Sequence, residues 1–226
     1  MNKKIICALI ALTFVSQQSS IFAQNYKDII EERKEIRKSS RKELNEKASK
    51  DARKEAKRMK KEGWTIAPGA LPLEKQLDKS YNMQYEYDED MFPKYIIGEA
   101  MSIGENYDAA KIQALELAKQ NLAGQIQTEI TALIENSVAN KQLEAEEATS
   151  ITETVLAGKN LISQNIGRTI PVIECYREKS NKNKEVLVRI AYNSTMSKAA
   201  AKRAVRETLE DKSEDLQKKL DKILGW

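Results

Sequence analysis

The chain has 226 residues, of which 38 are Lys or Arg and 34 are Asp or Glu, and it contains no histidine. The absence of histidine excludes Ser-His-Asp and Cys-His catalytic arrangements and removes the commonest metal ligand. A phosphate-binding glycine loop ending in Gly-Lys-Ser or Gly-Lys-Thr is missing too, so we predict a protein that is not an enzyme and takes no cofactor or metal ion.

Residues 1–23 have the pattern of a signal peptide. Two lysines precede an apolar run over residues 5–15, and Ala23 supplies the small residue before the cut. The run is about eleven residues long, whereas a membrane-spanning helix needs roughly twenty. We therefore expect a mature protein that begins near Gln24, is soluble, and is periplasmic or secreted.

The two cysteines, Cys7 and Cys175, do not predict a disulfide. Cys7 lies before the apolar run, where a lipoprotein does not carry its lipid-modified cysteine, and it leaves with the signal peptide. Cys175 then has no partner within the chain. A buried thiol acting as a small apolar residue is the favoured interpretation, and an intermolecular bridge or a reactive thiol is the alternative.

Residues 24–62 predict a charged helical arm. From Lys27 to Glu62 there are 15 basic and 9 acidic residues, a net charge of +6, whereas residues 63–226 carry 21 basic and 25 acidic residues, a net charge of −4. A thin apolar stripe predicts a solvated helix that lies on the body or frays. Contact with anionic surfaces is the alternative, and the interleaved acids weaken it. The candidate contacts for such a surface are Arg53, Lys54, Lys57, Arg58, Lys60 and Lys61.

Residues 63–92 predict a Pro- and Gly-containing hinge followed by a short helix over residues 73–83. Trp64 and Trp226 each lie beside a glycine at a segment end, so both are candidate contacts for a protein partner, and packing on the body is the alternative. The acidic cluster at residues 88–90 is interpreted as a solvated turn, because it lacks the turn glycine and ligand number of a calcium loop.

Residues 93–226 predict an α+β domain. A strand over residues 94–103 has one face of small residues, including Gly98, that would let a helix pack closely. Asn106 or Asp108 caps a long helix, and a second helical segment follows over residues 142–166 with Gly158 as a weak point.

The end of this domain predicts a β-hairpin and a closing helix. The strands cover residues 170–178 and 185–193, and turn-forming residues join them. Strand alternation places Val186, Val188, Ile190 and Tyr192 on one face of the second strand. A helix over residues 194–224 closes the chain. The fold class is therefore α+β, with long helices packed on a small, mainly antiparallel sheet.

The order of these elements resembles the LPP20 lipoprotein family and the related N-terminal domain of the flagellar protein FlgT, over about residues 93–210. The full chain, with its Gly-Trp-Thr-Ile-Ala-Pro-Gly segment at residues 63–69, is also similar to uncharacterised exported proteins of the Bacteroides group. The residues that carry the family resemblance are Gly98, Ala100, Ala110, Ala114, Ala118, Leu122 and Ile126.

This resemblance implies a cell-envelope location and a role in assembly or surface association rather than catalysis, and it brings no catalytic residue. Family members are often lipid anchored, whereas no cysteine follows an apolar core here. A soluble protein is therefore expected, and nothing in these residues points to a flagellum.

Three functions follow as hypotheses. The leading one is a non-catalytic exported cell-envelope protein that docks an unidentified envelope protein or forms a homo-oligomer. The alternative is binding to lipid headgroups or acidic glycans through the arm, with peripheral membrane contact. A nucleic acid partner is not expected, because the arm lacks aromatic residues for base stacking. An unrecognised hydrolase is the third hypothesis, since carboxylate pairs alone can support glycoside hydrolysis.

Overall fold

The computed structural model describes residues 45–67, 69–89, 91–140 and 144–209, together with isolated helical positions at residues 31, 33–35, 38, 42 and 218. The chain divides into two compact units, residues 1–47 and 48–226, and the elements described below belong to the second. The predicted signal peptide, the closing helix beyond residue 209 and Trp226 lie outside the described residues.

The second unit alternates helices and short strands. In chain order the elements are α1 (Lys50–Lys61), β1 (Thr65–Ile66), α2 (Leu73–Gln84), β2 (Tyr95–Gly104), α3 (Tyr107–Ala139), α4 (Ala145–Ala157), α5 (Lys159–Asn165), β3 (Ile170–Glu178), β4 (Lys184–Asn193) and α6 (Ser194–Leu209).

The strands form one antiparallel sheet in the order β1-β3-β4-β2. Strand β2 pairs with β4 along its whole length, from Tyr95 opposite Asn193 to Gly104 opposite Lys184. The predicted hairpin is present as β3 and β4, and its register shifts between Pro171 and Ile173 because proline cannot donate to the ladder. The predicted α+β fold is confirmed.

One face of the sheet is covered by α3, with α6 beside it, and α4 and α5 pack on these two helices. The four residues predicted to share a face of β4 all lie in this core. Helix α3 crosses the sheet at Gly98, where an added Cβ would clash with the Ala118 carbonyl and lie 2.7 Å from Leu122 Cγ. The small residue is therefore needed for the close approach that the sequence predicted.

The long helices begin and end where the sequence indicates. Asn106 caps α3, and its side chain accepts a hydrogen bond from the amide of Ala109 at 2.9 Å. Gly158 separates α4 from α5, at the position where the sequence predicted a weak point in the second helical segment. The second helical segment begins at Ala145 in the described chain, and residues 141–143 lie outside the description.

The other face of the sheet is covered by α1 and α2. Of the two expectations for the charged arm, a helix that lies on the body describes α1, because Ala52, Ala56 and Met59 are buried in a second core. Thr65 and Ile66 pair with β3 as a fourth strand. The sequence of this segment shows the thin apolar stripe but not the core that covers it. Alanine side chains are large enough to fill this part of the core because the helix lies close to the elements it packs on.

Side-chain amides partly cover the outer strand β2 and the part of β3 that β1 does not reach. On β2, Asn121 donates to the carbonyl of Glu99 at 2.7 Å and Gln125 donates to that of Ile97 at 2.8 Å. On β3, the amide of Glu174 donates to Gln76 at 2.7 Å. These bonds satisfy edge groups that would otherwise be available to another chain.

Candidate functional site

Helix α1 is held firmly at both ends. Ser49 caps its start by accepting a hydrogen bond from the amide of Ala52, and the Ser49 amide donates to Asp78 of α2 at 2.9 Å. At the other end Gly63 adopts a φ of +88°, which turns the chain back so that the Trp64 amide donates to the carbonyl of Met59. The helix is therefore a fixed part of the fold.

The charges of α1 are sorted around its axis. Successive residues are about 100° apart, so positions spaced by four, three and four residues fall within about 60° of one another. Lys50, Lys54, Lys57 and Lys61 have this spacing, and we name them the lysine row. The row lies opposite the buried side of the helix and faces solvent.

The acidic residues lie on one flank of the helix instead of between the lysines. Asp51, Glu55 and Glu62 fall within about 40° of one another by helical spacing. Arg58 lies among them and forms ion pairs with Glu55 and Glu62. The acids that appear interleaved in the sequence of α1 therefore lie together on one flank, where two of them pair with Arg58.

The six predicted surface contacts are all exposed on this helix. Arg58 is engaged as described, Lys60 pairs with Glu74 of α2 at 3.0 Å, and Arg53 donates to the carbonyl of Ser49 at 3.4 Å. Within the described residues, the side chains of the lysine row form no hydrogen bond or ion pair. Lys50 was missed as a candidate, although the spacing of the other three lysines points to it. With seven basic and two acidic residues, α1 carries a net charge of +5.

Trp64 does not present a surface to a partner. The side chain is 6% exposed and packs in the second core, so the alternative interpretation, packing on the body, describes it. Trp226 lies outside the described residues, and its role as a partner contact stays a prediction.

Three polar side chains outside α1 join helix α3 to strand β3. Tyr107 and Lys111 of α3 both bond to Glu174 of β3, the lysine at 2.7 Å. Burial and the Glu174 carboxylate raise the pKa of Tyr107, so it remains protonated at neutral pH. Among the described residues, no cluster of cysteine or carboxylate ligands could hold a metal ion.

Cys175 is fully buried, as expected for a thiol in a core. Burial raises its pKa to about 12, with smaller effects from the nearby charges. The thiolate that would be needed for nucleophilic or redox chemistry is therefore scarce.

A second surface feature lies beside β2. The loop between α2 and β2 exposes Tyr85, Tyr87, Met91 and Phe92. A bridge between Tyr87 and Pro93 holds the loop, and the Phe92 amide donates to Asp88 at 2.8 Å. We name residues 85–89 and 91–92 the aromatic loop. It borders a groove of about 820 Å³ that continues along β2 to Glu129 and Lys198.

No helix in the described residues combines the length and the apolar character that crossing a bilayer requires. No family model, curated protein or solved structure matches the chain. The resemblance to the LPP20 family and to FlgT therefore stays a prediction.

Proposed function

We propose that this chain is a non-catalytic exported protein of the cell envelope that binds an anionic surface through α1. The observation that carries the proposal is the segregation of charge on this helix, which leaves the lysine row unpaired and exposed. Clustered unpaired cations with a fixed arrangement raise the local concentration of anionic ligands. The interleaving of acids in the sequence had counted against this function, and the proposal is supported by the placement of the acids of α1 on one flank, apart from the lysine row.

A salt-dependent binding experiment tests the proposal. The mature protein is passed over immobilised heparin and mixed with vesicles that contain phosphatidylglycerol. We expect retention on at least one of these anionic ligands, with release as the salt concentration rises, because exposed ion pairs are screened.

The variant K50Q/K54Q/K57Q/K61Q should lose this retention. A matched control, K119Q/K159Q/K182Q/K198Q, removes the same charge from exposed or partly exposed lysines of the body and should keep it. Equal losses in both variants would show that net charge, and not α1, is responsible. Absence of retention on every anionic ligand would reject the function.

Docking of an envelope protein is the second candidate function, and the aromatic loop favours it. Exposed aromatic and methionine side chains in a preorganised loop are typical of protein contacts. Proximity labelling in the native host with M91S/F92S, and with I112S as a control at another exposed apolar site, tests this candidate. A neighbour that is lost with M91S/F92S and kept with I112S would support it, whereas equal labelling of all three proteins would contradict it.

A further inference from the structure

We infer that the ligand of α1 is a linear acidic polysaccharide that lies along the lysine row, rather than a lipid bilayer. This inference rests on the proposed function and specifies the class of anion that the same surface takes. Four properties of the lysine row carry this inference. They are its linear shape, the rigidity of helix α1, the burial of the apolar residues of α1 and the chemistry of the lysine ammonium groups.

The row is one-dimensional. Its lysines follow one another at about 6, 4.5 and 6 Å along the axis and span about 16 Å in total. Their directions differ by about 60° around the axis, so the four lysines form a line. Arg53 and Lys60 lie on the flank of this line opposite the acids, and their side chains are bonded to Ser49 and Glu74. A chain that repeats anionic groups along its length can meet all four cations at once.

The acidic flank limits the width of this line. Asp51 and Glu62 are exposed on one side of the row, and Glu55 is partly exposed beside them. A wide anionic surface brought against α1 would approach these carboxylates as well as the lysines, which opposes binding. A single extended chain lying on the row avoids them.

The apolar side of α1 is not available to a membrane. Helices that lie in a membrane interface bury an apolar face among the acyl chains. In α1 that face consists of Ala52, Ala56 and Met59, which are 0%, 2% and 7% exposed in the second core. Binding to a bilayer would therefore depend on charge alone and would lack the insertion that strengthens such contacts.

The row is also preorganised. The caps at Ser49 and Gly63 and the ion pair between Lys60 and Glu74 fix the helix on the body. The backbone that carries the lysines therefore loses little further conformational entropy when a ligand binds. Only the lysine side chains need to become ordered.

The chemistry of lysine defines what the ligand must offer. An ammonium group acts as a point charge and binds carboxylate, sulfate or phosphate groups alike. The planar guanidinium group of arginine instead makes bidentate contacts that select a fixed geometry. The exposed side of α1 has no aromatic residue for stacking on bases. The row therefore recognises the spacing of anionic groups on a flexible sugar chain, not the identity of the sugar.

The experiment uses the mature full-length protein, size-defined heparin oligosaccharides, and vesicles of phosphatidylcholine with and without phosphatidylglycerol. We expect the affinity to rise with oligosaccharide length until the chain covers about 16 Å, the span of the row, and then to level off. The variant K50Q/K54Q/K57Q/K61Q should bind about 30-fold more weakly, and the magnitude of its salt slope should fall by about 3. The control K119Q/K159Q/K182Q/K198Q should match the unmodified protein.

Two results would overturn the inference in different ways. Row-dependent binding to phosphatidylglycerol vesicles that exceeds binding to the longest oligosaccharide would assign the surface to a bilayer and leave the proposed function intact. Binding to neither ligand would reject both the inference and the proposed function. Circular dichroism of each variant confirms that the helix is retained, so that lost binding reports on charge.

Discussion

The guanidinium group of Arg177 lies 4.6 Å from the centre of the Trp64 ring, and this contact joins the chain after α1 to β3. Arg177 also bonds to Glu185 of β4 at 2.5 Å. A charged group stacked on an aromatic face and paired with a largely buried carboxylate is well positioned to stabilise the fold. The tryptophan that the sequence offered as a candidate partner contact is therefore a structural residue.

Replacing Trp64 by alanine should destabilise the protein by about 3 to 5 kcal/mol, because a large buried aromatic side chain is lost. Trp64→Phe should cost less, since it retains an aromatic face for Arg177. Urea unfolding followed by circular dichroism measures both values. A cost below about 1 kcal/mol for Trp64→Ala would contradict the burial of this side chain.

Gly98→Ala should destabilise the protein by about 1 to 3 kcal/mol or more, because the added methyl group would meet the backbone of α3. Gly124→Ala is the matched control. Its Cβ would meet only the end of the Lys159 side chain at 3.5 Å, and alanine favours the helix by up to about 1 kcal/mol. Thermal unfolding of the two variants should therefore give shifts of opposite sign.

Cys175 should resist alkylation in the folded mature protein at neutral pH. Burial both raises its pKa to about 12 and blocks access to the sulfur. Iodoacetamide labelling followed by mass spectrometry should show modification only at urea concentrations that unfold the protein. Fast labelling in buffer alone would identify an exposed, reactive thiol.

Glu129→Gln should stabilise the protein slightly at neutral pH and have a still smaller effect in acid; the gain is small because the residue is exposed to solvent on one side of the groove. Loss of hydration in the groove raises the pKa of the Glu129 carboxyl above its ordinary value of 4.5, and Lys198 opposes this shift only in part. A raised folded-state pKa means that ionisation opposes folding. The cost is absent below the unfolded-state pKa, grows between the unfolded-state and folded-state pKa values, and is complete above the folded-state pKa.

Urea unfolding of the unmodified protein and of Glu129→Gln across this pH interval measures the difference. Glu116→Gln on the same helix removes an exposed carboxylate outside the groove and serves as the control. A stability gain from Glu129→Gln that is equal in acid and at neutral pH would show that the gain does not come from ionisation.

Local patterns were sufficient to predict the hairpin of β3 and β4 and the close packing at Gly98, because both depend on alternation and residue size within one segment. The place of Trp64 could not be predicted, since Arg177 is distant in sequence and adjacent only after β1 pairs with β3. The lysine row is an intermediate case. Its spacing is present in the sequence, but the order of residues makes the acids look interleaved until the chain is wound into a helix.

The amides that cover the edge of β2 also make the sheet sensitive to chemical ageing. Asn121 and Gln125 act there as hydrogen-bond donors to the carbonyl groups of Glu99 and Ile97. Deamidation would convert either side chain into a carboxylate, which accepts hydrogen bonds and would repel the carbonyl oxygen that it faces. The hydrogen bonds that cover this edge of the sheet would then be lost through the conversion of an amide into a carboxylate.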